Sequence, residues 1–538
     1  MSMTNRASRI ASCLVAAALL FGLYGCTKTP AAIEPSADGT QIVLSDAGVT
    51  VDGSAASEDT SSAVYVGADI VYYEAGHDAQ YGEGTEADAH TAEEAAANTV
   101  VTITQPGTYV LSGELSAGQI AVDLGEGAKE DPEAKVELVL NGVDITCGVA
   151  PAVIFYNVYE TGSTEEAGAV VTLADGSANV VGGAYVAKIY EEGTTDKLHK
   201  YDGAFYAKMS MSIGGSGALE INAENEGLDS EMHLTINSGD IRITSANDGI
   251  NTNEDGVSVT TINGGTLWID AGSGSEGDGI DSNGALVING GMVLSFANPT
   301  SGDGGLDADG DITINGGTVL AVGSRNDEVS ENSTQGVMQL NLNTALEKGD
   351  VISLKDADGN VIYTETADKG GRSVILSCPE LTEGETYALY INDVQQQYTG
   401  TGAGGMGGGQ RPQGGGFTPP ENAEKPAQGA APENAEKPAD GTMPEAPQGG
   451  AAPETPEGTA PEAGEQPEDA GDAAEGESNE TAQGPGQRPQ GGGPGGQGGP
   501  GGAGGQGDMT IGDFMTGEPS TEFTLTTLVS TFSGVSAA

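Results

Sequence analysis

The chain is poor in positive charge and in aromatic residues. Its 538 residues hold 19 Lys and Arg against 80 Asp and Glu, a formal net charge of −61. A surface this negative repels nucleic acid, so we expect no nucleic-acid partner, and it attracts divalent cations, which carboxylate oxygens bind well. Aromatic residues make up only 5% of the chain and glycines number 87, a composition that disfavours a helical enzyme.

Cysteines are also scarce, since the chain has four. Cys13 and Cys26 fall within the first thirty residues, while Cys147 and Cys378 lie far apart and match no C-x-x-C metal spacing. We interpret the last two as buried thiols. An oxidising compartment would also allow a disulfide between them.

Long apolar runs are confined to the N-terminus. Two arginines, an apolar stretch and a small residue precede Cys26 in the order typical of an export signal. The cysteine after that small residue resembles a bacterial lipobox, although Tyr24 replaces the usual small or aliphatic residue. We expect residues 1–25 to be a lipoprotein signal peptide and Cys26 to be lipidated, anchoring the protein on the extracellular side of the cell membrane. A plain secretory signal with an accidental cysteine is the alternative.

A 26-residue repeat is the main structural signal in the sequence. The segments L-T-I-N-S-G, T-T-I-N-G-G, L-V-I-N-G-G and I-T-I-N-G-G begin at residues 234, 260, 286 and 312. Each strand is too short to hold a sheet alone, so the copies must stack, with their isoleucines in one core. The asparagines should form an amide ladder, and the pattern predicts an all-β solenoid.

Composition and turn residues divide the chain after the signal peptide. We predict an acidic N-terminal segment and insert at 26–99, a parallel β-helix at 100–325, a small β domain at 333–400, a disordered Gly/Pro/Glu-rich tract at 401–518 and a C-terminal strand at 519–538. The tract cannot bury a core. A strand over residues 521–529 is expected to return and complete the sheet of the small β domain. A frayed terminus is the alternative.

A second repeated motif, D-G-I-D/N, places acids at fixed positions in each coil. Stacked carboxylates repel by roughly 1 kcal/mol even in water, and Ca²⁺ between them would remove that repulsion. The candidate calcium ligands are Asp229, Asp248, Asn251, Asp278, Asp281, Asp307 and Asp309. Because Asp, Asn and Gly are common in turns, the alternative is that these residues only shape solvated turns. None of them fits an EF-hand or nonapeptide calcium motif.

Three residues are candidates for contact with sugar. If Leu267 and Ile269 face inward, Trp268 faces outward above Arg242 of the preceding coil, where indole and guanidinium can stack on a sugar and bind a carboxylate. Alternatively, Trp268 packs under a loop or the second domain and Arg242 pairs with neighbouring acids. Tyr206 is the third candidate, with simple strand packing as its alternative.

Together these motifs resemble a family of bacterial cell-surface carbohydrate-binding domain-containing proteins. The resemblance spans roughly residues 40–325 and includes G-A-F-Y-A-K at 203–208 and S-I-G-G-S-G at 212–217. It implies a right-handed parallel β-helix like that of pectate lyases, calcium at the turns and affinity for plant or microbial polysaccharides, including acidic ones. The 333–400 unit is similar to the small β-sandwich-like domain that often follows. The acidic insert at 68–98 departs from the family.

The residues of a catalytic site are not evident. Elimination from a uronide needs a base near calcium, and Arg242 is the only cation between residues 209 and 324. Hydrolysis needs two carboxylates at a set separation, but acid pairs arise by chance in so acidic a chain. We therefore expect a non-catalytic protein that binds acidic or plant cell-wall polysaccharide. The alternatives are a calcium-dependent polysaccharide lyase and a structural or adhesive surface protein; the sequence leaves the oligomeric state open.

Overall fold

A computed structural model describes residues 39–164, 166–401 and 518–538. The predicted signal peptide (1–25), the lipidation site Cys26 and nearly all of the predicted disordered tract lie outside the described residues. Within them the chain is almost entirely β-strand, with one short α-helix, α1 (Ala92–Ala96), and one 3-10 turn. This confirms the all-β fold class. No described helix has the length and apolar character needed to cross a membrane.

The strands that precede the regular repeat run from residue 40 to residue 201. They are β1 (Thr40–Leu44), β2 (Thr50–Val51), β3 (Ser54–Ala55), β4 (Val64–Gly67), β5 (Thr99–Ile103), β6 (Gly107–Leu115), β7 (Gly118–Asp123), β8 (Val136–Cys147), β9 (Val153–Asn157), β10 (Ala169–Leu173), β11 (Ala178–Gly183), β12 (Val186–Tyr190) and β13 (Lys197–Tyr201). Most of them pair in parallel with a neighbour one coil away, whereas β12 and β13 form an antiparallel hairpin.

The repeat itself contributes three strands per coil. These are β14 (Gly203–Ala207), β15 (Met211–Gly215), β16 (Ala218–Ala223), β17 (Glu226–Ser230), β18 (Leu234–Ile236), β19 (Asp240–Ser245), β20 (Ile250–Thr252), β21 (Val259–Ile262), β22 (Thr266–Asp270), β23 (Ile280–Ser282), β24 (Ala285–Ile288), β25 (Met292–Phe296), β26 (Leu306–Ala308), β27 (Ile312–Ile314) and β28 (Thr318–Gly323). Every third strand pairs in parallel with its counterpart in the next coil, which produces three columns of parallel strands.

The register of these pairings confirms the predicted stacking. Ile236, Ile262, Ile288 and Ile314 are aligned partners in successive coils, and each is at most 1% exposed. Because a shift of one residue would turn every isoleucine out of the core, the apolar column fixes the register of all the coils. Like side chains must therefore stack on the outside as well.

The predicted asparagine ladder is also present. The side-chain amide of Asn263 donates to Oδ1 of Asn237 at 2.9 Å, Asn289 donates to Asn263 at 2.9 Å, and Asn315 donates to Asn289 at 3.0 Å. The glycine two residues after each of the last three asparagines has a positive φ. At Gly291, where φ is +85°, a Cβ atom would come within 2.7 Å of the Gly265 carbonyl oxygen. The bend therefore needs glycine both for its conformation and for the close approach of the coil below.

The C-terminal strands follow the last coil directly. They are β29 (Val337–Leu346), β30 (Val351–Lys355), β31 (Val361–Thr366), β32 (Gly371–Ser377), β33 (Thr386–Ile391), β34 (Val394–Gln397), β35 (Gly400–Thr401), β36 (Phe523–Thr524) and β37 (Val529–Ala537). β32 pairs antiparallel with both β28 and β29, and β37 pairs in parallel with β29. These strands share their apolar core with residues of the last two coils, including Phe296 and Leu320.

The strand expected over 521–529 differs from the strands observed. A bend over 526–528 divides this region into β36, which pairs antiparallel with β33, and β37, which begins where the predicted strand should end. Phe523 and Phe532 are both buried and lie in edge-on contact, 5.1 Å between ring centroids. The chain after the tract thus packs into the core formed by residues 337–391.

Two additions to the coils lie close together. The insert at 68–98, which contains α1, meets the β12–β13 hairpin through a bridge between Gly82 and Ile189 and an ion pair between Glu83 and Lys188 at 2.9 Å. The hairpin then leads directly into β14. Cys147 and Cys378 are free and buried, which confirms the thiol interpretation.

Two glycine substitutions test the close stacking of the coils. Gly142 also has a positive φ, +79°, but a Cβ there would meet nothing within 4 Å. We expect Gly142→Ala to cost about 1–2 kcal/mol from the left-handed conformation alone, and Gly291→Ala to cost roughly 1–3 kcal/mol more because of steric overlap. Urea denaturation measures both free energies of unfolding. Equal losses would contradict the stacking geometry.

Candidate metal centre

A column of polar side chains crosses the third set of parallel strands. Tyr206, Asp229, Asn251, Asp281 and Asp307 are aligned partners in β14, β17, β20, β23 and β26. Their neighbours along each strand, such as Leu228 and Ile250, are fully buried in the apolar core. Since alternate residues of a strand point to opposite sides, the column lies on the side away from that core.

A second column consists of acids that stand three residues earlier in each coil, at Glu226, Asp248 and Asp278. We call these two columns the acid rows. The backbone N–H of Asp278 donates to Oδ1 of Asp248 at 2.7 Å, and that of Gly304 donates to Oδ1 of Asp278 at 2.6 Å. Asp248 and Asp278 therefore tie each turn to the next, as expected of turn-forming residues. Burial, reinforced by neighbouring acids, raises the pKa of Asp248 and raises that of Asp278 to about 7.

Three buried carboxylates meet where the two rows approach the hairpin. Oxygen atoms of Asp202, Glu226 and Asp229 all lie within 4.8 Å of one another. The three residues are 7%, 4% and 0% exposed. Burial is the largest cause that raises the pKa of each carboxyl, and repulsion by nearby acids adds to it. We call these three residues the acidic triad.

The partners of the acidic triad are too few to satisfy it. The ammonium group of Lys200 lies 2.5 Å from Oδ2 of Asp202, and the amide of Asn253 donates to Oδ1 of Asp229 at 2.7 Å. The amide of Asn251 donates to Oε1 of Glu226 at 3.2 Å. One ammonium group cannot neutralise three carboxylates, and buried charge without compensation is costly.

Three buried oxygens, two within the acidic triad and one next to it, have no hydrogen-bond partner. They are Oε2 of Glu226, Oδ2 of Asp229 and Oδ1 of Asn251. Buried polar atoms are nearly always paired, so this group of acceptors needs either protons or a cation. Two carboxylates and an amide carbonyl are the oxygen ligands that hard divalent cations prefer. The residues present therefore fit a metal ion.

The predicted calcium ligands are only partly brought together. Of the seven, Asp229 belongs to the acidic triad and Asn251 adjoins it. Asp309 is exposed. The pKa of Asp307 is raised to about 9, mainly by burial and secondly by a hydrogen bond with Asp327. Asp248, Asp278, Asp281 and Asp307 continue the two rows toward the C-terminal coils, outside the acidic triad.

The predicted sugar contacts have different surroundings. Trp268 stacks under Arg242, with the guanidinium carbon 4.1 Å from the ring centroid. Its indole N–H donates to Oδ2 of Asp368 at 2.7 Å, and the ring packs against the core of the C-terminal strands. A role for Trp268 and Arg242 in sugar binding stays a prediction.

Tyr206 requires a correction. The side chain is 1% exposed, and its hydroxyl donates to Oε1 of Glu231 at 2.7 Å. A ring covered in this way presents no face to a sugar, so the predicted contact is wrong. The hairpin that covers Tyr206 gave no periodic signal in the sequence.

Comparison with known proteins identifies the family of this chain. A model of the family described as carbohydrate-binding domain-containing protein matches residues 97–367, slightly more than half of the chain. The chain belongs to this family. The match includes all three residues of the acidic triad.

Two individual proteins are similar to parts of the chain. A carbohydrate-binding domain-containing protein of Acetivibrio thermocellus is 35% identical over 145 residues, which are 27% of this chain and 44% of the relative. The chain thus spans less than half of that relative. A solved structure of a polysaccharide lyase-like protein from C. thermocellum is 24% identical, covers 52% of this chain and 92% of its own, and has a TM-score of 0.32. We draw no inference from a likeness at that TM-score.

The sequence did not lead us to two residues of the acidic triad, Glu226 and Asp202. Glu226 opens the first copy of the repeated motif, E-G-L-D, at the place that Asp248 and Asp278 occupy in later copies, but the candidate ligands included only Asp and Asn. Asp202 lies outside the repeat, between β13 and β14. It directly precedes β14, and the parallel pairing of β14 with β17 brings it beside Glu226, whose backbone N–H donates to the Asp202 carbonyl oxygen at 3.1 Å. Asp202 matches no position of the repeated motif, so the motif does not signal it.

The acid rows predict how stability depends on pH. Asp278 and Asp307 have raised pKa values of about 7 and about 9. The folded chain keeps protons that the unfolded chain releases near pH 4, so unfolding releases protons and stability falls as pH rises. With a chelator present, we expect the melting temperature to fall between about pH 5 and pH 8. A melting temperature that rises over this range would contradict the raised pKa values.

Proposed function

We propose that the protein is a cell-surface lipoprotein that binds polysaccharide of the acidic or plant cell-wall kind without cleaving it. Membership of the carbohydrate-binding family supports the polysaccharide. The N-terminal signal and Cys26 support export and a lipid anchor on the extracellular side of the membrane. The binding part is a right-handed parallel β-helix that calcium stabilises.

The way the strands connect supports the proposed handedness. Strands of one column pair in parallel and are joined through the other two columns. Such connections between parallel strands are right-handed in about 98% of cases, because twisted strands pack back onto a sheet most easily that way. This general preference supports the right-handed turn of the coil.

Calcium is the cation that best suits the acidic triad. Its ligands would be the carboxylates of Asp202, Glu226 and Asp229, with the carbonyl oxygen of Asn251. The observation that supports this assignment is the set of unpaired buried oxygens on Glu226, Asp229 and Asn251. A bound ion would supply positive charge inside the protein, and the burial of the acidic triad gives it a structural role beneath the hairpin.

The surroundings of the acidic triad also support a non-catalytic role. A lyase needs an uncharged base close to its substrate, and Lys200 is the cation beside the acidic triad. Burial lowers the pKa of Lys200, but attraction to Asp202 outweighs it and the pKa is raised. In the ion-free protein the amine therefore stays protonated and cannot accept a proton.

The lyase alternative rests on one specific feature. A polar pocket of about 350 Å³, lined in part by Lys197, Lys200 and Glu231, borders the acidic triad. Two lysines near a candidate calcium site are the groups that elimination from a uronide would use. Both are bound to carboxylates, Lys197 to Glu231 at 3.0 Å and Lys200 to Asp202 at 2.5 Å. The binding role accounts for this pairing better.

Removal of charge from the acidic triad tests the calcium assignment. We expect Ca²⁺ to raise the melting temperature of the unaltered chain and to have almost no such effect on the double variant Glu226→Gln, Asp229→Asn, because neutral amides bind calcium weakly. In chelator the variant should be at least as stable as the unaltered chain, because two buried charges are gone.

The matched control is the double variant Glu114→Gln, Asp144→Asn. These two acids are exposed partners in β6 and β8, and their replacement removes the same charge. The control should keep the full response to Ca²⁺. A response that survives in the triad variant, or is lost in the control, would refute the assignment.

Binding and cleavage are separated by two measurements on the same glycans. On an array with Ca²⁺ we expect the full chain to bind acidic or plant cell-wall polysaccharides, and to bind them less after chelation because the β-helix loosens. Ultraviolet absorbance should stay flat, since no unsaturated uronide is formed. Rising absorbance would establish the lyase alternative, and an array without signal would favour a structural or adhesive protein.

A further inference from the structure

A cleft separate from the acidic triad lies on the N-terminal coils. It has a volume of about 570 Å³ and is lined by the insert, by the hairpin and by the strands between them. The insert contributes Asp69–Val71, and the hairpin contributes Leu198 and His199. The two additions that depart from the regular repeat therefore form its walls.

The floor of the cleft consists of residues at the ends of successive parallel strands. Asp123 ends β7, Tyr156 and Asn157 end β9, and Lys208 follows β14. The backbone N–H of Lys208 donates to the carbonyl oxygen of Phe155 at 2.9 Å. This bond places Lys208 beside Tyr156 of the preceding coil. Asn157 donates its side-chain amide to Oδ1 of Asp123 at 2.8 Å. These hydrogen bonds hold the floor in one arrangement.

Tyr156 supplies an aromatic surface in the cleft. Its ring meets the edge of Tyr201, with 5.6 Å between centroids, and this contact fixes its orientation. The side chain stays partly exposed, and within the described residues its hydroxyl has no hydrogen-bond partner. Burial raises the pKa of Tyr156, so the hydroxyl remains a donor. A fixed ring with a free donor suits the apolar face and the hydroxyls of a pyranose.

Lys208 supplies positive charge beside that ring. Its side chain is exposed, and its ammonium group forms no ion pair with any carboxylate of the described ranges. An unpaired lysine is notable where acids outnumber lysines and arginines by 80 to 19. Burial, and then the charge of Lys208, lower the pKa of His199, which leaves the imidazole neutral near pH 7. Lys208 is thus the positive group of the cleft.

Two acids, Asp69 and Asp123, also line the cleft. Asp123 already accepts from the backbone N–H of Gly125 at 2.9 Å as well as from Asn157. Asp69 belongs to the insert and is exposed, so its carboxylate can accept from sugar hydroxyls. Leu198, 50% exposed, adds apolar surface at the rim. The cleft thus combines a ring face, acceptors and one ammonium group.

We propose that this cleft binds one pyranose residue of an acidic polysaccharide, with the sugar ring against Tyr156 and the sugar carboxylate paired with Lys208. The inference rests on the proposed polysaccharide-binding function and locates it. Calcium in the acidic triad would then stabilise the coils and the hairpin, while the glycan contacts the cleft that contains Tyr156.

Calorimetric titration with two matched ligands tests the proposal. The ligands are an oligogalacturonate and its methyl ester of the same length, both measured with the full chain in Ca²⁺. We expect Lys208→Ala to weaken binding of the acid at least about fivefold and to leave the ester unchanged, since only the acid can pair with the ammonium group. Tyr156→Ala should weaken both at least about fivefold, because both present the same ring.

Three controls separate contact from folding. Lys348→Ala removes an exposed lysine outside the cleft and should change neither affinity. Lys208→Arg keeps the charge and should restore most of the binding of the acid. Tyr156→Phe keeps the ring packed against Tyr201, so it should retain more affinity than Tyr156→Ala. If Tyr156→Ala lowers the melting temperature, its weaker binding could come from loss of folding. The variants of the exposed Lys208 then test whether the cleft binds the sugar.

The outcomes distinguish failure of the proposed cleft from failure of the proposed function. If the unaltered chain binds oligogalacturonate and the Lys208 and Tyr156 variants bind it equally well, the cleft is not the site and the proposed function stands. Equal loss of acid and ester in Lys208→Ala would overturn the carboxylate pairing. If the unaltered chain binds neither ligand and no glycan on the array, both the cleft and the proposed function fall.

Discussion

Backbone pairing between successive coils is the constraint from which the other features follow. Each short strand has its hydrogen-bonding partners one coil before and one coil after it, so no coil is stable without its neighbours. The register of that pairing is set by isoleucines such as Ile262 and Ile288, which are fully buried and aligned. Once the register is fixed, every outward position repeats above itself. Amides then stack with amides, which is favourable, and acids stack with acids, which is not.

The acid rows show how the protein accommodates that repulsion. Toward the C-terminal coils, backbone N–H groups of the following turn donate to Asp248 and Asp278. Near the hairpin, Asp202 joins Glu226 and Asp229, and three carboxylates share one buried space. Lys200 offsets part of the charge. The oxygens left unpaired on Glu226 and Asp229 are what make a cation the simplest completion of the site.

The insert and the hairpin modify an otherwise regular stack. The hairpin packs against Tyr206 through Tyr201, with 5.0 Å between ring centroids, and the insert and the hairpin form the walls of the cleft that contains Tyr156. A regular coil presents flat strand faces, so a recess forms where an insertion projects from the coil surface. This explains why both the candidate metal centre and the candidate glycan cleft lie beside residues 186–202.

Periodic features were predictable from the sequence, and features outside the period were not. The stacked isoleucines and the ladder from Asn237 to Asn315 follow from a 26-residue spacing, because stacking converts sequence period into spatial contact. The same reasoning placed Asp229 and Asn251 in one column. It could not single out Asp202, because this residue lies outside the repeated motif although β14 pairs with β17. It also could not show that Tyr206 is covered, because that depends on where the antiparallel hairpin folds back.

The end of the chain shows the same limit. A strand after the Gly/Pro-rich tract was recognisable from its β-branched and aromatic residues, but the bend that separates β36 from β37 depends on which partners each strand finds. β36 pairs with β33, whereas β37 pairs with β29. Such choices between distant partners leave no local pattern in the sequence.

A crystal structure of the full chain grown with Ca²⁺ tests the central claim most directly. The account predicts one ion bound by Asp202, Glu226 and Asp229, at about 2.3–2.6 Å from their carboxylate oxygens. Carboxyl groups hydrogen-bonded to one another at neutral pH, with no ion between them although Ca²⁺ is abundant, would contradict it.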